Sequence, residues 1–188
     1  MCFHVFAFLI LYATMIKKMK MDDFFYFLSS ILSKRSIFPM ELIPFTSKDL
    51  IPFVEMSSEL HRSPHVETPL DKNIFISTFR ACLAGNQNIE GRRIVESDQT
   101  LGYLLLAHSF SSRYGSPIIL LEELYLIPEA RNQHIGRAIL EALGRYYSHQ
   151  TGVLKLECPP ENAIALQLFR SLGFQPQPHT VMVWKLPS

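Results

Sequence analysis

The chain has 188 residues, a formal net charge of +1 at pH 7 and three cysteines, and 48% of its residues are hydrophobic. This length corresponds to about one domain, and the near-neutral charge leaves no electrostatic footprint for nucleic acid. The odd number of cysteines, without a metal-ligand spacing, argues against a disulfide framework and a metal centre, so we expect a reducing, cytoplasmic setting.

The first 39 residues differ in character from the rest. Residues 2–16 are almost continuously apolar, lysines follow, and residues 24–28 form a second apolar run. The first run is shorter than the ~20 residues that cross a bilayer, and it lacks the basic start and cleavage site of a secretory signal. Three interpretations of this segment stay open. The translation start is assigned too early, or the segment is a helical arm that covers an apolar surface or lies on a membrane, or it is a membrane anchor. We expect membrane contact, if any, only through residues 1–39.

From Met40 the hydrophobic pattern predicts one domain, residues 40–188, in which strands alternate with helices. The predicted elements, in chain order, are a strand (40–45), a helix ending near residue 60, a helix from 69–71 to 85, strands at 92–96, 101–108 and 118–127, a helix (135–146), a strand (153–158), a helix (161–172) and a last strand (180–186). Gly173 stands where a helix commonly stops. The pattern favours a mixed α/β sheet with helices on both faces.

The junction between the strand at 118–127 and the next helix carries the clearest sign of chemistry. A turn that opens a helix presents free backbone N–H groups at the positive end of the helix dipole, which suits a phosphate or pyrophosphate. Gly136 lets an anion approach the backbone closely, and Ala138 keeps the first turn narrow. Arg131 and Arg137 add charged donors, and two glutamates stand on the preceding strand. An anion cradle beside two candidate bases is the layout of a phosphate-tailed cofactor delivered to a reaction.

Residues 133–138, Gln-His-Ile-Gly-Arg-Ala, resemble the signature of the GNAT superfamily of acyl-CoA-dependent N-acyltransferases, Arg/Gln-x-x-Gly-x-Gly/Ala. Many members carry an arginine two residues earlier, matched by Arg131, and a glycine where this chain has His134. A second block agrees in order and spacing, Asn162 to Phe169 followed by Leu-Gly-Phe. The resemblance implies a mixed, mostly antiparallel sheet of six to seven strands, with helices on both faces and a splay between the fourth and fifth strands.

The resemblance also implies an activity. The protein is expected to move an acetyl group from acetyl-CoA to a primary amine, a small molecule rather than a protein, by direct attack in a ternary complex. Residues 121–126 look like the strand of the branch that acts on small amines, in which the base stands at the position of Glu122, with Glu123 in reserve. Because side chains alternate along a strand, we expect these two to point to opposite faces. Salt bridges at the sheet edge are the structural alternative for each.

The cofactor-binding residues follow from the same resemblance. The pantetheine arm is expected on the strand backbone and the pyrophosphate on the loop and helix start. The full expected set is Leu124, Tyr125, Leu126, Arg131, Asn132, Gln133, His134, Ile135, Gly136, Arg137, Ala138, Asn162 and Phe169. Asn162 can also cap its helix. Phe169 stands where the family often has a tyrosine that protonates the departing thiolate, so the acid is unassigned.

Other functions stay open. Phe169 and His134 are compatible with an acyl-CoA-binding regulatory module that turns over little, and a protein amino terminus or lysine is an alternative acceptor. Similar folds dimerise, so a homodimer is left open as well.

Overall fold

The computed structural model describes residues 40–62, 70–148, 152–178 and 180–184. The three interpretations of residues 1–39 fall outside these ranges. Within the ranges, no helix is both long and apolar enough to cross a membrane.

The described residues form five strands and four α-helices. In chain order these are β1 (Met40–Pro44), a 3₁₀ turn (Ser47–Asp49), α1 (Leu50–Leu60), α2 (Lys72–Leu83), β2 (Ile89–Glu96), β3 (Gln99–Ser111), β4 (Ser116–Leu126), a second 3₁₀ turn (Pro128–Ala130), α3 (Ile135–Tyr147), β5 (Val153–Leu156) and α4 (Ala163–Ser171).

The strands make one sheet in the order β1-β2-β3-β4-β5. Neighbouring strands are antiparallel except for β4 and β5, which run parallel. The mixed, mostly antiparallel sheet is as predicted, but it has five strands in the described residues rather than six to seven. Residues 180–184, predicted to begin a last strand, are not in a strand, and the side chains of Val181, Met182, Val183 and Trp184 are exposed.

Helices cover both faces of the sheet, as the pattern predicted. On one face, Leu104 and Leu106 of β3 pack with Ile139 and Leu143 of α3, and side chains of α4 pack against the same cluster. On the other face, Tyr103 of β3 packs against α1 and α2. Because both of its faces are covered, the middle of β3 is an unbroken run of buried residues from 101 to 106.

A buried ion cluster ties β2 to β3. The Arg92 side chain donates to the Glu90 carboxylate and, at 3.1 Å, to the Leu42 carbonyl oxygen. His108 Nε2 lies 3.4 Å from the other carboxylate oxygen of Glu90. Burial by itself raises the pKa of Glu90, but the hydrogen bond to His108 and the charge of Arg92 outweigh it, so the pKa is lowered.

β4 and β5 separate at the position that the resemblance implied. Their pairing runs only from Ile118↔Val153 to Leu121↔Leu156. Beyond Leu121, the rest of β4 has no partner strand on that edge in the described part of the chain, while its other edge stays paired with β3. The splay therefore leaves a free stretch of strand backbone immediately before the loop that opens α3.

Candidate active site

A β-bulge stands at the splay. Leu106 of β3 pairs with Leu121, but Leu105 pairs with Glu123, so Glu122 is the extra residue. Leu121 and Leu124, three positions apart, both contact the core on the α3 side, and the usual two-residue alternation does not hold across them. The expectation that the two glutamates point to opposite faces assumed regular alternation of side chains, and the bulge at Glu122 interrupts this alternation although the strand continues to Leu126.

Glu123 is held by a chain of buried polar side chains. Its Oε1 lies 2.9 Å from His61 Nε2, and the Tyr103 hydroxyl donates to its Oε2. Ser57 in turn donates to the Tyr103 oxygen at 3.0 Å. Burial, followed by the charge of Glu123, raises the pKa of Tyr103 well above its usual range, so the hydroxyl stays protonated as a donor. Both carboxylate oxygens of Glu123 are thus already occupied by partners.

Glu122 is in a different situation from its neighbour. Glu122 is exposed, and its carboxylate has no hydrogen-bond or ion-pair partner among the described residues. Partial burial of the carboxyl group and the negative charges of Glu157 and Glu123 raise its pKa. A raised pKa makes a carboxylate a better proton acceptor close to neutral pH. Of the two glutamates, Glu122 is the one that is free to take a proton.

The loop before α3 presents backbone donors. Asn132 and His134 have φ angles of +60° and +61°, in the left-handed region that favours glycine. His134 thus adopts the conformation for which the family signature often has glycine. Its side chain does not cap the helix, and the first bond into the helix runs from the Ala138 N–H to the His134 carbonyl at 3.0 Å. The N–H groups of residues 135–137 consequently have no hydrogen-bond partner in the described chain.

The backbone at Gly136 faces open space. A Cβ placed there would meet only Leu168 Cδ2, at 3.9 Å, which is ordinary van der Waals contact. Packing within the protein does not require glycine at this position. The opening is available to a ligand that contacts the helix N-terminus.

The second block lies on α4, which packs beside α3. Asn162 caps α4 as predicted, because its Oδ1 accepts from the Ala165 N–H at 3.2 Å. Phe169 is half-buried, packs against the core on the α3 side and meets Phe174 edge-on, with ring centroids 5.8 Å apart. The ring therefore lies in an apolar environment.

The polar side chains around the loop are engaged with the protein itself. Arg131 Nε donates to the Leu126 carbonyl at 2.9 Å, and Gln133 donates to the Glu129 carbonyl at 2.7 Å. Arg137 bonds to Ser171 of α4, and it lies 3.6 Å from Glu141. These contacts brace the loop between β4, α3 and α4, and they leave the backbone N–H groups of residues 135–137 as the free donors at the start of the helix.

A cavity of about 430 Å³ adjoins the splay. It lies between the end of α1 and the part of β4 that has left β5. Its lining residues are Glu59, Leu60, Arg62, Leu124, Tyr125, Leu126 and Arg131. The cavity borders the same free strand edge that precedes the loop.

The sequence did not indicate the three residues that hydrogen-bond to Glu123 directly or through a neighbour, which are His61, Tyr103 and Ser57. Ser57 and His61 come from α1 and its end, and Tyr103 from β3, 46 positions after Ser57. A lone serine, histidine or tyrosine at such separations carries no local signal. In the part of the chain that is described, no group of three or more His, Cys, Asp or Glu side chains is arranged to hold a metal ion.

Comparison with known proteins agrees with this arrangement. Residues 90–176 match the acetyltransferase (GNAT) domain family, whereas no curated protein matches the sequence. A possible acetyltransferase from Clostridium difficile 630 superimposes with a TM-score of 0.69 at 13% identity, over 79% of this chain and 99% of that one. An aminoglycoside N-acetyltransferase in complex with CoA gives 0.61 at 14% identity, over 79% and 95% of the two chains.

A ribosomal-protein-alanine N-acetyltransferase from Brucella melitensis biovar Abortus 2308 also gives 0.61, at 11% identity over 79% and 99% of the two chains. At such identities the structural likeness shows the fold. The family match adds evidence from the sequence, because it runs from β2 to α4. It includes the loop before α3 and both motifs that carried the resemblance, residues 133–138 and residues 162–174. Residues 90–176 are therefore a GNAT acetyltransferase domain, which supports an acyltransferase activity, and the fold is the one seen in the solved acetyltransferases.

Proposed function

We propose that this protein transfers an acetyl group from acetyl-CoA to a primary amine of a small molecule, by direct attack in a ternary complex. The observation that carries the proposal is the splay of β4 from β5 beside the uncapped start of α3. It brings a free strand edge, an anion cradle and a glutamate of raised pKa into one segment. The CoA complex of the aminoglycoside N-acetyltransferase with the same fold supports this choice of co-substrate.

Acetyl-CoA would occupy two backbone surfaces. The pantetheine arm would pair with the edge of β4 at residues 124–126, as an added strand would. The pyrophosphate would lie on the N–H groups of residues 135–137, with Asn132, Gln133 and His134 shaping the loop. The left-handed conformation of His134 keeps the backbone in position for these contacts. Asn162 and Phe169 of α4 would border the arm on the side of β5.

The reaction needs a neutral amine, because a protonated one has no lone pair. A free alkylamine has a pKa of about 10.4, so a base must take its proton, and we assign Glu122 to this role. A backbone N–H of β4 would polarise the thioester carbonyl and stabilise the oxyanion formed on attack. The C–S bond then breaks, and CoA leaves as a thiolate. With a thiol pKa near ~8.5 this is a tolerable leaving group, and Phe169 supplies no proton to it.

Glu123 would serve as a fixed negative charge beside the base. Its bonds to His61 and Tyr103 restrain it, and its charge raises the pKa of Glu122. We also propose that residues 40–188 are the catalytic unit and that the reaction takes place in the cytoplasm, without nucleic acid. A protein amino terminus is the second candidate acceptor, which the Brucella neighbour favours by its name.

The test is thiol release from acetyl-CoA with a panel of alkylamines, amino acids, aminoglycosides and peptides with a free amino terminus. We expect release with at least one class of small amine, and its loss in Glu122→Gln. Calorimetry with CoA runs in parallel. Tight CoA binding without thiol release from any amine would instead identify an acyl-CoA-binding module, and release with peptides alone would move the acceptor to proteins.

A further inference from the structure

We propose that the acceptor carries an anionic group in addition to its amine, and that Arg62, Arg131 and the Tyr125 hydroxyl bind this group in the cavity beside the splay. The inference rests on the proposed function and names the chemical class of its acceptor. It differs from an aminoglycoside-like acceptor, which would bring several positive charges.

The charges that line the cavity favour an anion. Two arginines, Arg62 and Arg131, face one carboxylate, Glu59. Arg131 Nη2 lies 3.7 Å from Glu59, and both side chains are about half exposed, at 48% and 53%. A pair this exposed and this long is weak, because water screens it. A ligand carboxylate can therefore take the place of Glu59 on the guanidinium.

Arg131 is positioned for such an exchange. Its Nε is fixed on the Leu126 carbonyl at 2.9 Å, and its guanidinium lies 5.5 Å above the centre of the Tyr125 ring. These two contacts hold the plane of the group while its terminal nitrogens stay at the cavity. A guanidinium held in this way matches the paired oxygens of a carboxylate or phosphate.

The hydroxyl of Tyr125 is the second, independent observation. Tyr125 is only 3% exposed and stacks on Tyr103, with ring centroids 5.8 Å apart. Its buried hydroxyl makes no hydrogen bond of good geometry among the described residues, although such groups are normally paired, and the Glu59 and Arg131 side chains lie near it. Burial, followed by the Glu59 carboxylate beside the hydroxyl, outweighs the opposing charge of Arg131 and raises the pKa of Tyr125 to about 12, so the hydroxyl is a donor at neutral pH. A donor that lines a cavity with two guanidinium groups calls for an anionic acceptor atom.

The opposite sign of charge lies at the other end of the site. Glu122, Glu123 and Glu157 are close enough for the last two to raise the pKa of Glu122. A molecule with an ammonium group at one end and a carboxylate at the other would match both ends. Its amine would face Glu122, and its carboxylate would lie at Arg131, five positions after Leu126, on the loop side of the cavity. Linear ω-amino acids are the simplest molecules of this class.

The experiment compares three acceptor series of equal chain length: ω-amino acids from β-alanine to δ-aminovalerate, alkylamines, and diamines. We expect the best ω-amino acid to exceed its matched alkylamine and diamine by roughly tenfold or more in kcat/KM, as one added charged contact provides. Arg131→Gln and Tyr125→Phe should remove most of this preference, because they raise the KM for the ω-amino acid. Arg145→Gln, which changes an exposed arginine of α3, is the matched control and should leave it unchanged.

CoA affinity, measured by calorimetry, separates the possible failures. An unchanged CoA affinity in Arg131→Gln is expected, and a large loss there would assign Arg131 to the cofactor and overturn the inference. Preference for the diamine, or an undiminished preference for the ω-amino acid in Arg131→Gln, would overturn it as well. If CoA binds but no amine is acetylated, the proposed function fails. The anion site is then tested separately, by measuring the binding of δ-aminovalerate to the CoA-loaded protein. Binding that weakens in Arg131→Gln but not in Arg145→Gln would support the anion site, and absence of binding would refute it.

Discussion

Replacing Gly136 by aspartate tests the anion cradle most directly. The ideal Cβ position at Gly136 has only one neighbour, Leu168 Cδ2 at 3.9 Å, so the new side chain fits without displacing the protein. Aspartate in the first turn of a helix is favoured by the helix dipole by about 0.3–1 kcal/mol. Glycine in a helix interior costs ~1 kcal/mol relative to alanine. The variant should therefore fold at least as stably as the parent.

Cofactor binding should respond in the opposite direction. A phosphate on the N–H groups of residues 135–137 would lie roughly 4 Å from the new carboxylate. Two like charges at that separation repel by about 4 kcal/mol at an effective dielectric constant near 20. This corresponds to a roughly 10³-fold increase in Kd for CoA. Gly136→Ala is the matched control, because it adds the same Cβ without charge and should lose much less affinity.

Calorimetry with CoA and thermal unfolding of the same samples check both statements. We expect Gly136→Asp to unfold at or above the parent temperature, since ~1 kcal/mol shifts Tm by about 2–4 °C in a protein of this size. A well-folded Gly136→Asp protein that binds CoA within threefold of the parent would place the pyrophosphate elsewhere. An equal and large loss in Gly136→Ala would show that shape, rather than charge, decides the effect.

Three further expectations concern the proton path and the core. Glu122→Gln should lower kcat/KM by roughly 10²–10⁴. Glu123→Gln removes a charge that raises the pKa of Glu122, so it should shift the acidic limb of the pH–rate profile to lower pH. An acidic limb that does not move would contradict this coupling. Phe169→Tyr should raise acetyl transfer or leave it unchanged, and a folded but much slower variant would show that the ring must stay apolar. Glu90→Gln should destabilise the fold by about 3 kcal/mol at neutral pH, because buried Arg92 loses its charged partner. The pKa of Glu90 is lowered by folding, so its stabilisation is present above the unfolded pKa and fades as pH falls through the folded value; urea unfolding of parent and variant should thus differ less near pH 3 than near pH 7.

The strand and helix on either side of the loop at residues 127–134 were predictable because their signals are local. The apolar run predicted as a strand at 118–127 is β4, Ser116–Leu126, and the helical stripe predicted at 135–146 is α3, Ile135–Tyr147. Both patterns arise from neighbours within a few positions, which is the range over which strand and helix periodicities operate.

The last predicted strand shows where a local signal is insufficient. Residues 181–184 are Val-Met-Val-Trp, residues typical of strands, yet they are exposed and outside the sheet. Strand preference expresses how well side chains fit a half-buried surface and its neighbours. Such a segment forms a strand only where another strand supplies that surface, and the segment's own composition does not include the partner.

A strand with two glutamates, a loop and a helix could be predicted from the sequence alone, because these features lie within one continuous stretch of about 20 residues. The different environments of the two glutamates arise only from long-range contacts in the folded protein. The bulge at Glu122 depends on pairing with β3, and the restraint of Glu123 depends on His61, 62 positions earlier in the chain. Register and long-range hydrogen bonds are properties of the packed sheet and helices, so one carboxylate becomes free and the other fixed only when the chain has folded.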